Sequence, residues 1–207
     1  MNKSSNKIII AFEGVDGVGK TTLATKLADL NNYFYIKCPF EDAADVKNFY
    51  EVRFNQYPSS RFFYYLSSVW EVYSYIINDN SHQIFLVDRY ILSTRIYHKV
   101  LFKKLNLIEE YQNLICSSPF PPEPFLNIVF TADRKTRLER IKNRRKKCLT
   151  TDIFIEDDQN LLDEVQNEYL IQNNICVIDT TNKSIEEILA KCDKQIKNAL
   201  INIRISL

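Results

Sequence analysis

The sequence predicts a three-layer α/β fold around a five-stranded parallel sheet. Five short apolar runs, rich in β-branched and aromatic residues, recur at 8–12, 33–38, 84–87, 126–131 and 175–178. Each is apolar almost without interruption, the pattern of strands covered on both faces. Longer amphipathic stretches separate them, and strands alternating with helices give a parallel sheet with helices packed on its two sides. In such folds ligands gather beyond the carboxyl ends of the strands.

The first run, Ile8-Ile9-Ile10-Ala11-Phe12, leads into Glu13-Gly14-Val15-Asp16-Gly17-Val18-Gly19-Lys20-Thr21-Thr22, with Leu23-Ala24-Thr25-Lys26-Leu27-Ala28 continuing as the start of a helix. Helical stretches are expected at 42–50 and 61–78. The third run ends in Asp88-Arg89-Tyr90, and 92–117 reads as helix that a break can divide. Pro119-Phe120-Pro121-Pro122-Glu123-Pro124 stops that helix and feeds the fourth strand. Further helices are expected at 134–145, 160–173 and 185–201, the last opened by the capping box Ser184-Ile185-Glu186-Glu187. With no internal repeat and 207 residues, the reading is one domain over 1–207.

Composition narrows the function classes. The formal net charge is +1, which argues against nucleic-acid binding driven by a basic surface. Five cysteines, Cys38, Cys116, Cys148, Cys176 and Cys192, are scattered without C-x-x-C spacing. They fit buried thiols in a reducing cytosol better than a disulfide framework or a zinc site. Two histidines, His82 and His98, exclude a histidine-rich metal centre. No apolar run approaches the ~20 residues of a membrane span. The polar start, residues 1–7, runs directly into the first strand and is read as leaving no room for a signal peptide. The expected location is cytoplasmic.

The glycine-rich stretch carries the chemistry. It satisfies G-x-x-x-x-G-K-[ST] from Gly14 to Thr21, between a strand and a helix, the context that makes the pattern a phosphate cradle. All three glycines of the chain lie in it. Backbone amides over Gly14, Val15, Asp16, Gly17, Val18, Gly19, Lys20, Thr21 and Thr22 can turn inward toward a nucleoside triphosphate, with a helix N-terminus behind them. Lys20 can reach between the terminal phosphates, and the Thr21 hydroxyl can hold magnesium. Asp88 and Arg89, at the carboxyl end of a buried strand, sit at the same mouth. Asp88 can orient the metal shell and Arg89 offers a planar fork for a phosphate, although a salt-bridged strand end would look similar.

The two motifs together resemble thymidylate kinases. Glu13-Gly14-Val15-Asp16-Gly17-Val18-Gly19-Lys20-Thr21-Thr22 and Asp88-Arg89-Tyr90-Ile91-Leu92-Ser93-Thr94-Arg95-Ile96-Tyr97 carry the likeness. Ile128 to Asp133 with Leu138-Glu139-Arg140-Ile141, and Glu156 through Leu170, extend it over most of the chain. The resemblance implies a P-loop kinase fold with strand order 2-3-1-4-5. It also implies transfer of the terminal phosphoryl of ATP, with magnesium, to a deoxynucleoside monophosphate, dTMP first among them. By the same resemblance Asp16 contacts the sugar 3′-hydroxyl, Arg89 the acceptor phosphate and Lys20 the donor phosphates. Thr94 reads the base, Tyr97 crowds the sugar 2′ position, and Tyr64 offers a stacking face unless it is one more core aromatic. Phe40 is grouped with these acceptor contacts. A homodimer is implied, with the aromatic-rich 61–77 helix as a candidate interface.

Three departures bear on the acceptor. The family's base-reading arginine falls at Ser67 or Ser68; Arg95 is a candidate to take over base or phosphate contact; and the pattern after the lid is loosened to Asp152-Ile153-Phe154-Ile155-Glu156. The run Arg140 to Lys147 reads either as a solvated helix face or as part of a basic lid, about 142–155, closing over the phosphates. In the second reading Arg144 and Arg145 are the catalytic candidates, because a fork donor suits the equatorial phosphoryl oxygens. Asp179-Thr180-Thr181-Asn182-Lys183 is either a loop bordering adenine or a polar turn. Two alternatives stay open: a deoxynucleoside kinase on the same architecture, with Glu41 as a base, and a nucleotide-binding regulatory protein without turnover.

Overall fold

The computed structural model describes residues 7–40, 57–145 and 158–205. The helix expected at 42–50 and the lid from 146 onward lie outside these residues. In chain order the described elements are β1 (Ile8–Glu13), α1 (Lys20–Asn31), β2 (Phe34–Lys37), α2 (Pro58–Asn78), β3 (Ile84–Asp88), α3 (Ile91–Lys104), α4 (Ile108–Ser117), β4 (Leu126–Thr131), α5 (Arg134–Arg145), α6 (Gln159–Leu170), β5 (Ile175–Asp179) and α7 (Ile185–Ile205). The sheet is parallel throughout, in the order β2-β3-β1-β4-β5. The predicted fold class and strand order are those observed.

The alternation of β1 divides the core. Ile9 and Ala11 pack with Phe85, Val87 and the α2 residues Val69, Val72 and Ile76. Ile10 and Phe12 pack with Leu86, Leu23 and Leu27 of α1, and Ile188 and Ile196 of α7. Helix α2 begins with a proline in its first turn, where the missing N–H costs no hydrogen bond, and buries Phe62, Leu66, Val69, Val72 and Ile76 as one stripe.

The long helix expected at 92–117 is two helices. Asn106 takes a left-handed φ of 58°, the Leu107 N–H reaches back to the Phe102 carbonyl at 2.8 Å, and α4 restarts with Glu109 and Glu110 in its first turn. Helix α1 starts at Lys20, three residues before the apolar pattern shows it, because the loop's own lysine and threonines form the first turn. The capping box at Ser184 is formed in both directions: Ser184 N–H to Glu187 Oε2 at 2.8 Å, and Glu187 N–H to Ser184 Oγ at 3.2 Å. The proline-dense stretch feeds β4, with Phe125 N–H bonded to the Ile9 carbonyl at 2.8 Å. Of the described cysteines, Cys38 and Cys192 are buried, but Cys116 is exposed, since α4 buries Tyr111 alone and turns the rest of its surface partly or fully outward.

Candidate active site

Register sets the site. Phe12 pairs with Asp88, so β1 and β3 end together, and the Arg89 N–H closes onto the Phe12 carbonyl at 3.0 Å. The two motifs, more than seventy residues apart in sequence, therefore meet at the carboxyl edge of the sheet.

The loop after β1 needs its glycines. Gly14 has φ +129°, and a Cβ there would stand 2.3 Å from the Phe130 carbonyl oxygen of β4. Gly17 has φ +84°, and its Cβ would stand 2.7 Å from the Arg137 carbonyl of α5. Gly14→Ala is expected to lose about 3 kcal/mol from backbone strain and the clash with a strand that cannot yield. A thermal melt should show a drop of about 10 °C; an unchanged midpoint would contradict the loop geometry.

Lys20 is buried and donates to the Val15 carbonyl at 2.9 Å, with Asp16 Oδ1 3.8 Å away. Burial, helped by the nearby Arg89 charge, lowers its pKa to about 8, against the pull of Asp16, Asp88 and Glu13. Thr21 Oγ1 donates to Asp88 Oδ2, and Asp88 Oδ1 is buried with no hydrogen-bond partner among the described residues. A hydroxyl and a carboxylate with a spare lone pair form an oxygen donor set suited to magnesium. Among the described residues no cluster of three or more His, Cys, Asp or Glu forms a separate metal centre.

Arg89 is held from three directions. Its Nη2 donates to Asp16 Oδ1, its Nη1 lies 3.4 Å from Ser93 Oγ, and its guanidinium stands 4.9 Å over the Tyr97 ring. Its φ is +69°, a left-handed value that a non-glycine residue keeps only when its surroundings enforce it. Asp16 thus lies between the two cations, Lys20 and Arg89.

Thr94 and Tyr97 are buried along the same helix. His98, one turn on from Thr94, places Nδ1 2.7 Å from the Thr94 carbonyl; burial, with the Arg61 charge, holds its pKa near 3. Tyr64 is partly buried on α2, edge-on to Tyr65 at 5.2 Å. Ser68, in the register of the absent arginine, is buried and donates to the Tyr64 carbonyl at 3.0 Å. Arg95 turns elsewhere: its Nη1 binds Glu123 Oε1 at 2.6 Å and its guanidinium stacks 4.4 Å over Phe120. Phe40 meets Tyr75 edge-on at 5.7 Å and packs against the α2 side of the core. Arg144 and Arg145 are the last residues of α5, and their side chains lie outside the described residues.

Three features escaped sequence reading. Glu13, wholly buried, accepts from the Tyr90 N–H at 3.0 Å, from Ser93 Oγ and from the Tyr169 hydroxyl at 3.3 Å. Burial raises its pKa against these hydrogen bonds and the Arg89 charge. Arg140 clamps the phosphate loop, donating to the Gly17 and Val18 carbonyls at 3.3 and 3.4 Å and to Thr180 Oγ1 and O at 2.9 Å each. Thr180, wholly buried at the end of β5, also places its hydroxyl 3.1 Å from the Val18 carbonyl. The stretch 179–183 therefore supports the loop and is more than a polar turn. Arg137 is buried with its Nη2 on Asp163 of α6. Only the helical spacing of Arg137 and Arg140, three residues apart on α5, hinted at these contacts.

The family model for thymidylate kinase matches residues 12–192. A probable thymidylate kinase of Methanocaldococcus jannaschii is 26% identical over 198 residues, covering 93% of this chain and 97% of that protein. A thymidylate kinase of Finegoldia magna is 28% identical over 211 residues, covering 92% and 98%. Among solved structures, a thymidylate kinase of Candida albicans superimposes with a TM-score of 0.69 at 19% identity, covering 93% of this chain and 92% of that one. A deoxyadenosine kinase of M. mycoides, with dCMP and dCDP bound, gives 0.71 at 18% identity, covering 92% and 100%. With its sheet order, its phosphate loop and the Asp-Arg-Tyr turn that meets it, the chain belongs to the thymidylate kinase family, a family of ATP-dependent phosphotransferases.

Proposed function

We propose that this protein transfers the terminal phosphoryl group of ATP to a deoxynucleoside monophosphate, with dTMP as the foremost acceptor. The observation that carries this reading is Asp16 lying between Lys20 and Arg89. One cation belongs to the triphosphate loop and the other to the opposite strand end, so two phosphates can be drawn to one point.

Phosphoryl transfer needs positioning and charge more than a strong base. The loop amides and Lys20 hold the donor, and Arg89 presents its fork to the acceptor phosphate. Asp16 is placed to release Arg89 to that phosphate and to take a sugar hydroxyl in exchange. Thr94, Tyr97 and Tyr64 are assigned to the base and sugar, with Phe40 behind them. Thr21 and Asp88 would hold magnesium, which when bound neutralises charge on the donor phosphates. Arg144 and Arg145 remain the catalytic candidates on the lid side. A cytoplasmic, homodimeric enzyme acting as a single domain completes the proposal, and no described helix is long and apolar enough to cross a membrane.

A second reading, a deoxynucleoside kinase, has one specific support. The M. mycoides deoxyadenosine kinase matches the fold as closely as the thymidylate kinase structure does. A coupled ADP-release assay over a panel of deoxynucleosides and their monophosphates separates the two. The proposal expects dTMP to turn over at least ten times faster than thymidine; faster turnover of any nucleoside would favour the second reading.

A further inference from the structure

Arg89 is the cation at the end of β3 that the fold brings against the phosphate loop, and it holds a left-handed φ of 69° there. Behind it lies a buried hydrogen-bond unit. Glu13 Oε1 takes the Tyr90 N–H, fixing the peptide that follows Arg89. Glu13 Oε2 takes the Ser93 hydroxyl, and Ser93 Oγ in turn lies 3.4 Å from Arg89 Nη1. The Tyr169 hydroxyl of α6 stands 2.7 Å from Ser93 Oγ and 3.3 Å from Glu13 Oε2. Glu13 and Tyr169 are both wholly buried, behind Arg89 and away from the solvent-facing mouth.

A carboxylate buried this deeply costs free energy, and an apolar residue there would cost the fold less unless the charge held something in place. The thing held is a left-handed arginine at the end of β3. We propose that Glu13, Ser93 and Tyr169 form a positioning unit that fixes the Arg89 fork for the acceptor phosphate. Through it, helix α6 becomes part of the acceptor site although it contributes no exposed group to it. Glu13 and Tyr169 are positioning residues in this scheme: they act through Arg89 and touch no reacting atom. The inference rests on the reading of Arg89 as the acceptor-phosphate ligand.

A double-mutant cycle tests it. Glu13→Gln, Ser93→Ala and Tyr169→Phe are each made in the parent and in an Arg89→Ala background, with dTMP kinetics and ATP affinity measured for all. In the parent, Glu13→Gln should lower kcat/KM for dTMP about a hundredfold and Tyr169→Phe about tenfold, with ATP affinity within about threefold. In the Arg89→Ala background each should add less than about threefold, because the group they act through is gone. If Glu13→Gln does not fold, the two hydroxyl deletions, each removing a single oxygen, carry the cycle alone. Full multiplication of the effects, or a loss of ATP affinity in step with turnover, would overturn the positioning unit while leaving the Arg89 assignment intact. If Arg89→Ala itself left dTMP kinetics unchanged, the acceptor reading and the unit would fall together.

Discussion

Lys20→Met is expected to lower phosphoryl transfer by at least about a thousandfold, while the unliganded protein melts no earlier than the parent. The two effects have one origin. Lys20 is a buried cation beside a second cation, Arg89, with Asp16, Asp88 and Glu13 only partly compensating. Folding lowers its pKa from 10.5 to about 8. Between those values the unfolded chain holds the extra proton, so the Lys20 contribution to stability improves as pH rises through that window. Below about pH 8 the folded protein carries the charge at a cost that methionine does not incur. A bound triphosphate reverses the balance by supplying the missing anion. ATP binding near pH 8 should therefore be accompanied by uptake of about half a proton, read by calorimetry in buffers of different ionisation enthalpy. A marked loss of stability in Lys20→Met together with retained activity would show that Lys20 is a structural residue.

Arg89→Ala is expected to have the second largest effect, falling on one substrate. The fork sits opposite the loop, bonded to Asp16 and stacked over Tyr97. Its removal should reduce kcat/KM for the monophosphate by about a thousandfold while ATP affinity stays within about threefold. Arg89→Lys should not restore it, since an ammonium cannot bridge two phosphate oxygens and cannot stack in the same way. Steady-state kinetics with each substrate varied, beside equilibrium binding of ATP, gives both numbers. An equal loss on the ATP side would place Arg89 with the donor.

The legible parts of this molecule were local ones. The phosphate loop is written in consecutive residues because its chemistry depends on backbone direction, which glycine spacing controls. The sheet order followed from the loop and the Asp-Arg-Tyr turn together, through a resemblance that covers most of the chain. What was hidden depends on crossovers. Glu13 and Tyr169 are 156 residues apart, and Arg140 reaches Gly17 across 123. No periodicity encodes such a meeting. Glu13 opens the loop motif in the sequence, but nothing local shows that in the fold it faces three donors. Arg95 shows how helix geometry places a neighbour. It follows Thr94 by one residue, which on a helix turns it about 100° away. Thr94 and Tyr97 are buried, while Arg95 goes out to Glu123 and Phe120.

Ser68 sharpens the question of the base. Its hydroxyl is spent on the Tyr64 carbonyl, so the α2 side brings no cation to a base edge at that register. On the proposed reading, selection there falls to Thr94, to shape and to aromatic contact, which discriminate less strongly than a buried charged reader. The phosphate chemistry is independent of that selection.

The central claim, that Lys20 and Arg89 bring two phosphates together, is tested most directly by following the label. Under single-turnover conditions, γ-labelled ATP is mixed with enzyme, magnesium, dTMP and thymidine, and the products are separated. The account predicts label in dTDP, with little in dTMP or inorganic phosphate. Label appearing first in dTMP, or only in inorganic phosphate, would contradict it.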